Sequence, residues 1–160
     1  AAAAAEPGFD REEPLLLLGS CNGWSPEVAA ARHKLKVASR TDDATESVVW
    51  LDLPPEALTV NFQIVSSRHC WKWRLYPGLG RSGVLSFARE AAALASLAAG
   101  SNSQAAHGRN FVARGRPGER LGIAVSLSST GRALVWARRE ATPDDPPAAA
   151  ARRTAAAARA

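Results

Sequence analysis

The sequence has no methionine, two cysteines and three histidines among its 160 residues. Two cysteines are too few for a disulfide scaffold, although one bond between Cys21 and Cys70 stays open. No CxxC pair is present, and His33, His69 and His107 are too scattered to suggest a ligand set for zinc. We therefore predict neither a bound metal nor a cofactor.

Long apolar runs and catalytic motifs are also missing. The longest strongly apolar run, Leu15 to Leu18, has four residues, whereas a membrane helix needs roughly 18 to 20. We therefore expect no membrane span. The sequence contains no Gly-x-Ser-x-Gly elbow, P-loop, Gly-x-Gly-x-x-Gly motif or His-Glu-x-x-His motif, so we predict that this chain is not an enzyme.

Positive charge is in modest excess and is carried mainly by arginine. The formal net charge is +5, and 17 of the 20 basic residues are arginine. The first 13 residues sum to −3 and the last 13 to +3. This balance permits weak, salt-sensitive attraction to polyanions, but solvated surface arginines explain it without any partner. We do not expect nucleic acid as a ligand, because the aromatic residues are not interleaved with basic residues as stacking platforms require.

Short strands separated by turn signals dominate the pattern. The run Leu15 to Leu18 is typical of a buried strand, and Gly19 ends it. Apolar and β-branched runs with turn signals between them predict the other strands. These lie near residues 34–37, 47–53, 60–65, 71–75, 110–113, 121–127 and 133–137. Turns are predicted at Arg116–Gly118 and Ser128–Gly131.

One internal segment has a helical composition. Residues 86–99 are alanine-rich and lack proline, and Gly100 stands where a helix C-cap belongs, so a short helix is predicted there. Residues 1–13 form a low-complexity acidic segment and residues 141–160 a Pro/Ala/Arg-rich tail. The remaining residues, 14–140, are predicted to form one all-β domain. Its expected architecture is a β-sandwich of seven to eight strands with the short helix inserted.

Three segments carry a recognisable pattern. The first reads GSCNGW (19–24), the second is Leu53-Pro54 followed by a strand at 60–65 and then Trp71, and the third reads AHGRNF (106–111). In this order they resemble the starch- and glycogen-binding modules of the immunoglobulin-like β-sandwich type. The resemblance covers most of the chain. It is closest to a divergent version in proteins of algal protists, where the third segment reads Gly-His-Gly-Lys-Asn-Trp before a Pro-Gly turn.

The resemblance implies an immunoglobulin-like fold and a non-catalytic site for an α-glucan or another polysaccharide. In the family, two tryptophans form a platform for sugar rings. Trp24 matches the first, and Trp71, or alternatively Trp73, matches the second. Flat aromatic rings cover the apolar faces of sugars, while polar side chains bond the hydroxyls. The polar residues that the resemblance assigns to this carbohydrate-binding role are Asn22, Gln63 and one residue of the third segment, either Arg109 or Asn110. Gln63 stands where the family has lysine.

The tryptophans also have structural alternatives. Trp71 and Trp73 are two residues apart, so in a regular strand they would share one face. If that face is the core, both are packing residues. Trp24 could instead fold back as a lid over the end of the sandwich. Trp50 and Trp136 lie within apolar strands and are predicted to belong to the core.

In a second interpretation of the whole chain, the β-sandwich fold is retained but sugar binding has been lost. Asn22 and Asn110 would then satisfy turn backbone, and the module would have a structural or protein-interaction role. The missing lysine and the inserted helix favour this alternative, with a protein-partner surface formed by Arg114, Arg116 and Arg120. Because residue 1 is not methionine, we expect a processed product or a piece of a longer protein. Its compartment stays open, with plastid and cytoplasm both possible.

Overall fold

The described residues form an antiparallel β-sheet that curls on itself, with one α-helix. A computed structural model of the chain describes residues 9–56, 58–78, 83–85, 87, 93–99 and 106–139. The helix α1 is Pro26–Arg32, and a 3-10 turn at Ser20–Asn22 precedes it. The strands are β1 (Leu15–Gly19), β2 (Lys36–Arg40), β3 (Ala44–Asp52), β4 (Thr59–Ser66), β5 (Cys70–Pro77), β6 (Ala93–Ala99), β7 (Phe111–Arg114), β8 (Arg120–Ser128) and β9 (Ala133–Arg139). The all-β class is confirmed.

The sheet closes through a short segment beside β1. Hydrogen-bonded strands follow the order β1-β4-β5-β6-β9-β8-β3-β2, and β7 also pairs with β4. The N–H of Leu17 donates to the carbonyl of His33 at 3.0 Å, and the N–H of Leu35 donates to the carbonyl of Leu15 at 2.9 Å. Because β2 begins directly after Leu35, this segment joins the two ends of the sheet. It also covers backbone groups on the outer edge of β1 that would otherwise be unpaired.

The main core lies on the inner face of the curled sheet. Its largest members are fully buried, and the rings of Phe62 and Phe111 meet there with centroids 5.5 Å apart. A second, smaller cluster lies on the outer face of β1 and β4, where α1 packs through its buried Ala29. Strand β1 is therefore buried on both faces, which explains its uninterrupted leucine run.

The start of α1 carries signals that our sequence analysis missed. The side chain of Ser25 accepts a hydrogen bond from the N–H of Val28 at 3.3 Å, and Pro26 occupies the first helical turn. Serine as N-cap followed by proline is a common way for a helix to begin. These residues position α1 against the outer face of the sheet.

The helix predicted over residues 86–99 is wrong for its second half. Residues 93–99 form β6, which pairs with Leu75 and its neighbours in β5 and, through Ala93 to Ala95, with β9. Alanine favours a helix in isolation, but hydrogen bonding to two open strand edges overrides that weak preference. Residues 86 and 88–92 lie outside the described residues. The α-helix that the described part of the chain contains is α1.

The other predicted strands and both turns agree with the structure, and the described residues contain nine strands rather than seven or eight. The predicted acidic segment 1–13 is described only from residue 9, and the tail 141–160 lies outside the described residues. Glu13, at the end of that segment, is buried and accepts bonds from the Ser66 hydroxyl at 2.7 Å and from Arg68 at 3.0 Å. Cys21 and Cys70 are free thiols.

Candidate functional site

Trp24 is held in a strained turn at the end of β1. Gly23 and Trp24 both have left-handed backbone conformations, with φ of 63° and 60°. The N–H of Trp24 donates to the carbonyl of Gly19 at 3.0 Å, which closes the turn. Glycine adopts this conformation freely, whereas a residue with a β-carbon does so at a cost of about 1–2 kcal/mol. The half-buried indole packs against the outer cluster and holds the turn in place.

Asn22 has a structural role in the same turn. It is 7% exposed, and its Oδ1 accepts the N–H of Gly19 at 3.0 Å. Its Nδ2 donates to the carbonyl of Leu17 at 2.7 Å and to His33 Nδ1 at 2.9 Å. These bonds occupy both N–H groups of the amide. Asn22 therefore supports the turn that presents Trp24 and does not line the groove described below.

The bond between Asn22 and His33 predicts a pH dependence of stability. Because Asn22 Nδ2 donates, the imidazole accepts at Nδ1 and is neutral. Burial, followed by the charge of Arg32, lowers the pKa of His33 from its ordinary value of 6.5. The folded state then binds fewer protons, so this stabilisation is complete above pH 6.5 and is lost as the pH falls through the folded-state pKa. We expect the melting temperature to fall from about pH 7 to pH 5, and to fall less in His33→Gln, as measured by calorimetry.

Val28→Ala, an exposed substitution on α1 that removes no ionisable group, is the control for this measurement. This variant should keep the wild-type slope of melting temperature against pH. Glu12, whose pKa is lowered first by its hydrogen bond from Thr45, titrates below 4.5 and outside this window. Equal slopes in the wild type and His33→Gln would contradict the prediction.

Trp71 and Trp73 lie on opposite faces of β5, contrary to the prediction that they share one. Val65 pairs with Arg74 and Ser66 pairs with Cys70, so the three residues Trp71 to Trp73 have no partner in β4. This bulge begins at Cys70, whose φ is 51°. A bulge changes the alternation of side chains between faces. Trp71 is half-buried against the outer cluster, whereas Trp73 is 0% exposed in the main core. Trp73 is therefore inaccessible to a sugar.

Gln63 also faces the outer cluster, but its amide is committed to the protein. It is 2% exposed, and its Nε2 donates to the carbonyls of Ala106 at 2.6 Å and Arg109 at 2.7 Å. Both N–H groups are thus used. Its Oε1 lies 3.4 Å from Nη1 of Arg74. Gln63 is therefore a clamp that holds segment 106–110 against β4 rather than a donor to sugar hydroxyls.

A groove of about 270 Å³ opens on the outer face of the sheet. Trp24 and Trp71 are stacked in it, with ring centroids 6.4 Å apart and planes inclined by 25°. Stacked aromatic pairs prefer an offset arrangement over a face-to-face sandwich, and an offset leaves part of each ring face uncovered. The guanidinium of Arg74 lies 5.3 Å from the centre of the Trp71 ring. The described residues that line the groove are Trp24, Gln63, Trp71, Arg74, His107, Gly108 and Asn110.

Of the two polar residues predicted from segment 106–111, Asn110 and Arg109, the structure places one in the groove and the other outside it. Asn110 lines the groove. Arg109 does not: its exposed side chain reaches towards the ring of Tyr76, 5.9 Å from the ring centre, and only its carbonyl serves the site, as a partner of Gln63. Its backbone N–H donates to the carbonyl of Ala106 at 3.1 Å. Arg109 therefore takes part in folding the segment that carries Asn110.

A larger cleft of about 590 Å³ lies at another part of the sheet, between the end of β3 and the residues that flank α1. Trp50, which was predicted to be core, is half-buried and lines this cleft, whereas Trp136 is buried as expected. The Trp50 ring crosses the strand pair over Gly122, where an added β-carbon would lie 2.7 Å from the indole. Arg120 lies 5.7 Å from that ring. This cleft contains one tryptophan and no aromatic pair among its described lining residues.

One of the three arginines predicted to form a protein-partner surface makes an ion pair within the chain. Arg114 ends β7 and Arg116 lies in the following turn, and both are exposed. Arg120 forms an ion pair with the exposed Asp52 at 3.7 Å. An exposed pair of this kind contributes little to stability.

Arg74, His107 and Gly108 are groove residues that our sequence analysis missed. Arg74 could have been found from register, since it pairs with Val65, whose side chain belongs to the outer cluster. His107 and Gly108 lie inside the third segment of the resemblance, next to the residues that were predicted. His107 and Gly108 could have been predicted from their position in the chain close to Asn110.

Within the described ranges, no group of three or more histidine, cysteine or acidic side chains could hold a metal ion. None of the helices described is long and apolar enough to cross a membrane. The chain matches no protein-family model, no curated protein and no solved structure.

Proposed function

We propose that this chain is a non-catalytic module that binds α-glucans through the outer groove of an immunoglobulin-like β-sandwich. One observation carries the proposal: Trp24 and Trp71, which are far apart in the sequence, come together as a stacked pair in an open groove. Paired, rigid aromatic surfaces can cover consecutive sugar rings at low entropic cost. Asn110 and Arg74 would bond hydroxyls beside that platform.

The backbone of Trp24 supports the same proposal. A bulky residue in the left-handed region stores strain, and such strain persists where the surroundings impose it, frequently at ligand sites. Here the Asn22 bonds and the Gly23–Trp24 turn impose it, and the result is an indole ring beside Trp71. Contact between this ring and a ligand would explain why the strained turn is present.

The resemblance of the three segments described above to starch- and glycogen-binding modules favours an α-glucan over a β-1,4-glucan. An α-1,4-linked chain curves, whereas a β-1,4-linked chain is a flat ribbon, so a β-1,4-linked sugar of similar length is the control that tests this choice.

Titration with maltoheptaose tests the proposal, with tryptophan fluorescence as the readout and cellohexaose as the control sugar. We expect a saturable change with maltoheptaose alone. Trp24→Ala should lower the affinity about tenfold or more, because a stacking contact of this kind contributes on the order of 1–2 kcal/mol.

Trp50→Phe is the matched control, because Trp50 lines the larger cleft and not the groove. This variant should bind maltoheptaose with unchanged affinity in calorimetry. If Trp50→Phe loses binding while Trp24→Ala keeps it, the groove is the wrong site. If the wild type does not respond to millimolar maltoheptaose, the function itself is wrong.

A further inference from the structure

The hydrogen-bonding groups of the groove are mostly donors. Gln63 lines it, but both of its N–H groups are used by the carbonyls of Ala106 and Arg109, and its Oε1 accepts from Nη1 of Arg74 at 3.4 Å. Trp24, Trp71 and Arg74 can only donate through their side chains. Among the described lining residues, Asn110 is the one side chain that offers an uncommitted carbonyl oxygen, and His107 can donate or accept.

The charge of the groove is one-sided as well. Arg74 lies against Trp71 at its wall, and the described lining residues include no carboxylate. Lys72, which follows Trp71 in the bulge, is exposed but does not line the groove. Glu27, in the first turn of α1, does not line the groove.

A neutral sugar is poorly matched to such a set of groups. Each sugar hydroxyl both donates and accepts, so a site for neutral sugars gains from carboxylate or amide oxygens that accept its protons. A phosphate ester carries only acceptor oxygens, and a planar guanidinium can bind two of them at once. An arginine beside an aromatic ring can therefore hold the phosphate while the ring covers the sugar that carries it.

We propose that the groove selects glucans that bear a phosphate ester, with Arg74 as the residue that binds the phosphate. This inference rests on the proposed function, since Trp71 must stack on the same sugar unit. It assigns Arg74 the role of a specificity-determining residue. Binding to neutral α-glucan is then the weaker activity of the same site.

Calorimetric titration of maltoheptaose and of a malto-oligosaccharide of equal length carrying glucose 6-phosphate units tests this inference. At low salt we expect the phosphorylated ligand to bind about tenfold more tightly, as a charge-assisted hydrogen bond predicts. The advantage should shrink as the salt concentration rises, while the affinity for maltoheptaose stays constant. Inorganic phosphate alone should compete only weakly, because it lacks the sugar.

Two variants that each remove one positive charge, Arg74→Gln and Arg132→Gln, show whether the preference for the phosphorylated ligand depends on Arg74. Arg74→Gln should remove the advantage of the phosphorylated ligand, so that the two sugars bind with similar affinity, and Arg74→Lys should keep part of the advantage. Arg132→Gln, in the exposed β8–β9 turn, is the control for net charge and should leave the advantage intact. Circular dichroism checks that each variant is folded.

The outcomes separate this inference from the proposed function. If maltoheptaose binds and phosphorylation gives no advantage, the inference is overturned and the function stands. If Arg132→Gln reduces the advantage as much as Arg74→Gln, general electrostatic attraction explains it and Arg74 is not the phosphate ligand. If inorganic phosphate binds as tightly as the phosphorylated sugar, or if neither sugar binds, the inference fails in each case, and the last result overturns the proposed function too.

Discussion

Trp73→Ala should destabilise the fold by about 3–5 kcal/mol, whereas Trp71→Ala should leave it folded and weaken glucan binding about tenfold or more. The two tryptophans are separated by one residue, yet the bulge at Cys70 places them on opposite faces of the sheet. Trp73 is fully buried in the main core, so alanine there leaves a large cavity. A domain of this size is stable by about 5–15 kcal/mol in total, so the first variant loses a large share of its stability.

Trp71 is half-buried, and its ring is shared between the outer cluster and the groove. Removing it should cost about 1–2 kcal/mol of unfolding free energy, because only part of the ring is buried. The affinity for maltoheptaose should fall about tenfold or more, since half of the aromatic platform is lost. Urea denaturation and calorimetric titration measure the two quantities on the same samples.

Conservative variants provide the controls for this pair. Trp73→Phe keeps an aromatic ring in the core and should lose less stability than Trp73→Ala while binding normally. Trp71→Phe should retain part of the affinity. If Trp71→Ala unfolds the protein as readily as Trp73→Ala does, both rings are packing residues. Trp71 would then drop out of the proposed platform.

The strands could be predicted because most of them carry their own apolar pattern and end at a turn. Strand β6 could not, since the alanine side chains of residues 93–99 define no strong apolar face. Its conformation depends on the open edges of β5 and β9, which come together only in the folded chain. Helix α1 is the opposite case: Ser25 and Pro26 are local signals, and they were overlooked beside the more prominent Trp24.

The aromatic residues of the candidate site could be predicted from the sequence better than its polar residues. Trp24 and Trp71 follow from the resemblance of the turn and of the strand order. The opposite placement of Trp73 depends on the left-handed conformation of Cys70, and no residue type in that segment demands it. The partners of Gln63 are backbone carbonyls 43 and 46 residues later in the chain. Backbone groups so distant in the chain leave no pattern in the sequence.

Gln63→Leu should destabilise the protein by about 1–3 kcal/mol and weaken glucan binding, although Gln63 donates nothing to a ligand. Leucine is similar in size but removes the side-chain donor of the Arg109 carbonyl, while the Ala106 carbonyl keeps only the bond from the N–H of Arg109. Segment 106–110 carries His107 and Asn110 into the groove, so loosening it disorders one wall of the site. Urea denaturation and titration with maltoheptaose measure both effects.

Asn61→Leu is the matched control for Gln63→Leu, because Asn61 lies on the same strand but is exposed. Its stability should stay within about 0.5 kcal/mol of the wild type, and its affinity should not change. Binding that survives intact in a destabilised Gln63→Leu would show that segment 106–110 contributes nothing to the ligand. Loss of binding with full stability would instead mean that Gln63 contacts the sugar itself. A loss of both in Gln63→Leu, and of neither in Asn61→Leu, is the result that a buried clamp beneath the binding surface requires.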